Sequence, residues 1–284
     1  MHEEAHFIDF DFERLKETTW PLIGLTVFVD AAFLALAMLV ILPFLRSSFP
    51  LERLTNGLIQ ATFIFSALRF ALVVLGVAIL MGRLRARDVG LEWDKLLRGA
   101  LIVFGLWIVM QLIGILFGLV ASGQVALSPI WAPDKLTLIA GELIAQFLGN
   151  AFAEEVIFRG FLVTQVYLML KGNISGRGWR VTAAVLISQL IFSLSHIPQR
   201  LTGSYTPLSL LLNLLLVWGY GVLFAVLYLR TENIFVAVGV HALANAPVTI
   251  VALPSQSIGG LLALALGLVL IAAWRRLTRW MERA

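Results

Sequence analysis

The sequence predicts an all-α polytopic membrane protein with about eight transmembrane helices in one bundle. Three observations predict it. Of 284 residues, 60% are hydrophobic and 13% charged, against about 25% charged in a soluble domain. The apolar residues gather into runs near the 20 or so that a bilayer core of about 30 Å demands of a helix. Basic residues, finally, collect at alternate ends of those runs.

The runs are Leu22–Leu45, Leu58–Met81, Gly99–Ala121, Gly141–Val166, Val181–Ile197, Leu208–Leu229, Ile234–Leu253 and Gly259–Trp274. Ahead of the first, Glu3, Glu4, Asp9, Asp11, Glu13 and Glu17 outnumber Arg14 and Lys16. A secretory signal needs a positive n-region, so the first run is read as a retained span. Eight crossings put both termini and the even-numbered connections on one face. That face collects 15 of the 21 Lys and Arg, and the other collects Arg46, Arg53, Lys135 and Arg200. By the positive-inside rule both termini are cytoplasmic, in an integral multi-pass protein expected in the cell membrane. The basic balance of +4 therefore follows membrane topology, and no nucleic-acid partner is expected. Cysteine is absent, which excludes disulfides, thiolate nucleophiles and Cys-ligated metals.

Polar residues inside spans are the informative ones, because a charge at mid-bilayer costs about 2.5–3.5 kcal/mol on insertion scales. Asp30 and Arg69, on the first two spans, are expected to pair. On the fourth span Glu142, Gln146, Asn150 and Glu154 recur every four residues, which puts them on one helical face. Glu155 and Arg159 are also four apart and can pair. The fifth span places Gln189, Phe192, Ser193 and His196 on one face. The seventh places His241 and Asn245 one turn apart among Gly239, Ala242, Ala244 and Ala246, small residues that permit close helix approach. A carboxylate as base, an imidazole to share its proton and donors for an oxyanion are what water-dependent carbonyl hydrolysis requires. These residue types alone do not single out peptides.

Three of these groups carry a resemblance. Glu154-Glu155-Val156-Ile157-Phe158-Arg159 fits EExxxR, Phe192-Ser193-Leu194-Ser195-His196 fits FxxxH, and His241-Ala242-Leu243-Ala244-Asn245 fits HxxxN. In this order, each on a predicted span, they resemble the motifs of the CAAX-protease and bacteriocin-processing family, which includes the Ras-converting-enzyme type of CAAX prenyl endopeptidase. Asp88-Val89-Gly90-Leu91 looks like a weaker segment of that family. The resemblance implies an intramembrane glutamate-type endopeptidase. In it Glu154 and His196 activate water, His241 and Asn245 form the oxyanion site, and Glu155 and Arg159 position them. It implies no metal or other cofactor, zinc held by His196, His241 and a Glu being the alternative. The partners expected are membrane lipid and a peptide or lipidated protein substrate, processed at a CAAX-like tail or at a leader or other tail. Residues 1–134 would then be a three-span N-terminal region, 135–252 the catalytic core and 253–284 the last span with a basic tail. Substrate identity and oligomeric state are not implied. The rival reading is a non-catalytic immunity or scaffold protein of the same fold.

Two further expectations concern geometry. His2-Glu3-Glu4-Ala5-His6 matches the zincin pattern HExxH, but it sits at a chain terminus with no apolar helical flank and no third ligand nearby, so it is read as a decoy. Simple spans would also place His196 several ångströms nearer the outer face than Glu154. A tilted fifth helix, a later start to it or a re-entrant Val166–Leu170 would close that gap.

Overall fold

Within lipid every backbone N–H and C=O must find a partner in the protein, which favours helices. The computed structural model describes residues 7–42 and 50–281. The helices are α1 (Trp20–Ile41), a short α2 (Pro50–Leu54), α3 (Ala61–Met81), α4 (Trp93–Val120), α5 (Pro133–Met169), α6 (Arg177–Leu201), α7 (Pro207–Thr231), α8 (Ile234–Asn245) and α9 (Ser257–Arg279). Among the described residues, seven of these are long and apolar enough to cross a membrane. The protein is thus an all-α, multi-pass integral membrane protein. The HExxH sequence at residues 2–6, Arg46 and the end of the first predicted span lie outside the described residues.

The seventh predicted span needs correction. Ile234–Leu253 is helical only over Ile234–Asn245, about 18 Å of helix. The helix ends because Pro247 has no N–H to donate and disfavours helical geometry at the residue before it; Ala246 accordingly sits at φ −129°, ψ 76°. The chain continues as irregular backbone, with the Thr249 amide bonded back to the Pro247 carbonyl at 2.9 Å, and side chains take over much of its hydrogen bonding. Trp107 Nε1 donates to the Val248 carbonyl at 2.8 Å, Gln111 Oε1 accepts from the Ile250 amide at 2.7 Å, and Trp131 Nε1 donates to the Thr249 carbonyl at 3.0 Å. Val251 forms an isolated antiparallel bridge with Leu127 beyond the far end of α4, while Asn233 Nδ2 donates to the Lys95 carbonyl at its near end, 2.9 Å. The segment therefore still runs from one end of α4 to the other, half as helix and half as irregular backbone held by side chains.

The acidic N-terminal segment has a structural role that its composition did not suggest. Residues 7–19 lie across the end of the bundle that carries the basic connections. Phe10 and Phe12 are buried there, Phe12 stacked on Tyr167 at 3.7 Å and Phe10 edge-on to Tyr228 at 5.2 Å. Asp9 pairs with Arg275 at 3.0 Å, Glu13 with Lys171, and Arg14 with Glu92 at 2.9 Å. The Arg177 guanidinium donates to the Phe10 carbonyl at 2.7 Å and that of Arg230 to the Phe7 carbonyl. Lys16 Nζ donates to the Arg83 carbonyl at 2.7 Å, and Thr18 N–H donates to Gln165 Oε1 at 2.9 Å. Asp88 anchors the strap by accepting from the Lys16 amide at 3.0 Å. Burial pushes the Asp88 carboxyl up, but the Arg85 side chain and the two backbone N–H groups outweigh it and hold the group below the usual carboxylate range.

Close packing beneath this strap depends on Gly160 in α5, whose Cα faces the Val89–Gly90 backbone. A Cβ there would overlap the Val89 carbonyl. Gly160→Ala is therefore expected to lower the melting temperature in detergent, since overpacking costs about 1–3 kcal/mol. An unchanged melting curve would mean that the two backbones separate freely.

Candidate active site

α5 supplies the carboxylates. Its winding is π-type over Ala145–Asn150 and Glu155–Val163, a departure frequent at functional sites. The predicted four-residue stripe is therefore interrupted. Gln146, Asn150 and Glu154 line one cavity, whereas Glu142 is exposed elsewhere.

Glu154 is 6% exposed. Its Oε1 lies 3.4 Å from Arg69 Nη1 and its Oε2 lies 3.7 Å from His241 Nε2. Arg69 is itself held by Asp30, Nε to Oδ1 at 2.7 Å and Nη2 to Oδ2 at 3.0 Å. The expected Asp30–Arg69 pair is present; its extension to Glu154 is new.

Glu155 faces the other side of the same imidazole. It accepts from His241 Nδ1 at 2.7 Å and lies 3.1 Å from Arg159 Nη1, as its spacing predicted. The Nδ1 proton thus belongs to the Glu155 contact, and Nε2 is left facing Glu154. Arg159, fully buried, sits 4.1 Å from the Phe192 ring centroid and 5.5 Å from that of Phe224. Cation–π attraction, worth about 2 kcal/mol or more when desolvated, helps retain the charge there. Phe224 also stacks on His241 at 4.5 Å.

His196 sits at the turn that interrupts α6, with Nδ1 bonded to the Phe192 carbonyl at 2.8 Å, so Nε2 is its free nitrogen. The expected difference in depth is absent. Phe192 packs on Phe158 at 5.0 Å and under Arg159. From that level one turn along α5, toward its start, reaches Glu154, and one turn along antiparallel α6, toward its end, reaches His196. No re-entrant segment is involved, because α5 continues helical to Met169. Asn245 ends α8, and its Nδ2 donates to Gln146 Oε1 at 3.0 Å.

Glu154, His196, His241 and Asn245 all line one cavity of about 780 Å³, with Glu155 and Arg159 packed behind it. Arg200 lies in the same wall, its Nε donating to Asn213 Oδ1 at 2.7 Å. Sequence reasoning assigned no role to Arg200, Asn213 or Phe224. An apolar helix offers nothing to distinguish Phe224 from packing, and Arg200 reads as a residue at a helix end. Among the described residues no group of three or more His, Asp or Glu is arranged to hold a metal ion.

Residues 136–247 match the family model described as type II CAAX prenyl endopeptidase Rce1-like. The matched stretch contains the six predicted site residues and excludes Asp30 and Arg69. Comparison with curated proteins and with solved structures finds no match.

Proposed function

We propose, from the match of residues 136–247 to the Rce1-like family model, that this chain is an intramembrane endopeptidase whose cavity hydrolyses a peptide bond with water activated by Glu154. The observation that carries the reading is the placement of a buried carboxylate 3.7 Å from one imidazole in a cavity shared with a second imidazole and a carboxamide.

The steps follow from the donors and acceptors. Glu154, assisted by His196 Nε2, takes a proton from water as the oxygen attacks the scissile carbonyl carbon. The oxyanion is received at Nε2 of the His241 ring, which Glu155 orients through Nδ1, and by the Asn245 N–H not engaged with Gln146. Collapse of the tetrahedral intermediate breaks the C–N bond, and the proton taken up passes to the leaving amine. Donors aimed at a developing oxyanion in a site shielded from bulk water are worth far more than in solution. Glu155 and Arg159 act through His241 and are positioning residues.

The substrate is a peptide or the tail of a lipidated protein, drawn from the membrane or its surface. Arg200, held by Asn213 in the cavity wall, suits a chain-terminal carboxylate. No cofactor is assigned. One assay addresses these points: purified protein in lipid nanodiscs, a library of peptides made as free acids and as amides, and product masses read with and without a strong chelator. Cleavage that persists in chelator, with higher KM for the amides, is the expected result. Loss of cleavage in chelator favours zinc on His196, His241 and a Glu, and absence of any product favours the non-catalytic reading.

A further inference from the structure

α5 carries more of the site than its carboxylates. Its first π-wound stretch, Ala145–Asn150, bears Gln146, which lines the same cavity as Glu154 and Asn245. Gln146 Oε1 accepts from Asn245 Nδ2 at 3.0 Å. Gln146 falls outside all three motifs that first marked the site. Asn245 needs such an anchor. It is the last residue of α8, since the backbone leaves helical geometry at Ala246, and helix ends fray. Its carboxamide also has two broad settings of its last torsion. One turns the N–H donors into the cavity, and the other turns the carbonyl oxygen there. A carbonyl oxygen facing a developing oxyanion repels it, so only the first setting serves the reaction.

We propose that Gln146 is a positioning residue: by accepting one Asn245 N–H it holds the carboxamide with nitrogen toward the cavity, so that the second N–H meets the oxyanion. The proposal rests on the hydrolase reading. It gives each α8 donor its own partner on α5, because Glu155 contacts His241 Nδ1 at 2.7 Å and Gln146 contacts Asn245. The partners run in opposite order along the two helices, 155 then 146 against 241 then 245, as antiparallel packing requires. The choice of glutamine also fits. A neutral acceptor orients Asn245 without bringing a second negative charge toward the oxyanion, which a glutamate at this position would do. One helix thus supplies the base and orients both oxyanion donors.

The test is a double-variant cycle on purified protein in lipid nanodiscs, with a peptide that the parent cleaves. Asn245→Ala removes an oxyanion donor and is expected to lower kcat about 10²–10³-fold. Gln146→Met keeps the length of the side chain but offers no oxygen to the contact. Its kcat is expected to fall about tenfold while KM stays within about twofold, since the aim of an oxyanion donor matters in the transition state alone. The double variant should turn over no more slowly than Asn245→Ala, because residues that act as a unit are non-additive. Additive losses, or a Gln146→Met loss that falls on KM, overturn the proposal: Gln146 would then act apart from Asn245 or touch the substrate. Melting supplies a readout that needs no peptide. Gln146→Met should lower the melting temperature of the parent but not that of Asn245→Ala, and an equal fall in both overturns the contact itself. Gln146→Ala replaces Gln146→Met if that variant expresses poorly. A parent that cleaves nothing while showing the melting coupling ends the hydrolase reading and reduces the pair to a clamp between α5 and α8. An active parent with additive losses ends the positioning role alone.

Discussion

Glu154→Gln is expected to lower turnover about a thousandfold, within the roughly 10²–10⁴ that a positioned general base contributes, while leaving expression and melting close to those of the parent. The amide has the shape of the carboxylate but cannot take a proton from water. Its neighbours keep their principal partners: Arg69 retains both contacts to Asp30, and His241 retains its 2.7 Å contact to Glu155. The loss should therefore fall on kcat, with KM little changed, because a group that acts on water rather than on ground-state substrate leaves binding intact. Parent-like turnover in a well-folded Glu154→Gln protein would remove this carboxylate from the chemistry and return the non-catalytic reading to first place.

Arg69→Leu is expected to have the largest effect on stability, about 3–5 kcal/mol, the cost of removing one partner from a buried ion pair. Asp30 is 2% exposed and Glu154 6%, and without the guanidinium two carboxylates are left in an apolar interior. The comparison that identifies the mechanism is Asp30→Leu combined with Arg69→Leu. Replacing a buried pair by packed apolar groups is often neutral, so the double variant should recover most of the lost melting temperature. It should not recover turnover, because Glu154 still lacks the cation that holds Oε1. Equal melting of Arg69→Leu and the parent would show that the pair does not join α1 to α3. Full activity in the double variant would show that Arg69 serves packing alone.

Much of this arrangement was legible in the residues. Hydropathy marks the crossings, and charges are so scarce within them that Glu154, His196, His241 and Asn245 stand out against their surroundings. Glu155 with Arg159, and Asp30 with Arg69, are readable because a charge in lipid seeks its opposite. Other features left no local trace. The Arg69–Glu154 contact joins residues 85 apart on separate helices, and no periodicity encodes it. The level of His196 was misjudged because counting from span ends assumes that the ends are flush, whereas Phe192 against Phe158 and Arg159 sets the true offset. The early end of α8 did have a signal in Pro247, which the apolar run on both sides concealed. The strap had a faint one, two phenylalanines alternating with acids at Phe10 and Phe12, too short for a hydropathy window and too acidic to suggest burial.

The non-helical stretch from Pro247 to Ala252 has a consequence for biogenesis. A helical crossing can partition into lipid by itself, carrying its hydrogen bonds with it. This stretch cannot, because the Val248 and Thr249 carbonyls and the Ile250 amide are matched by Trp107, Trp131 and Gln111, and the Ile250 carbonyl and Ala252 amide by the backbone of Ser128 and Ala126, all more than a hundred residues upstream. Its insertion must wait until α4 and the loop after it are already in place, so the last two crossings are assembled as a late, co-dependent unit rather than threaded one at a time.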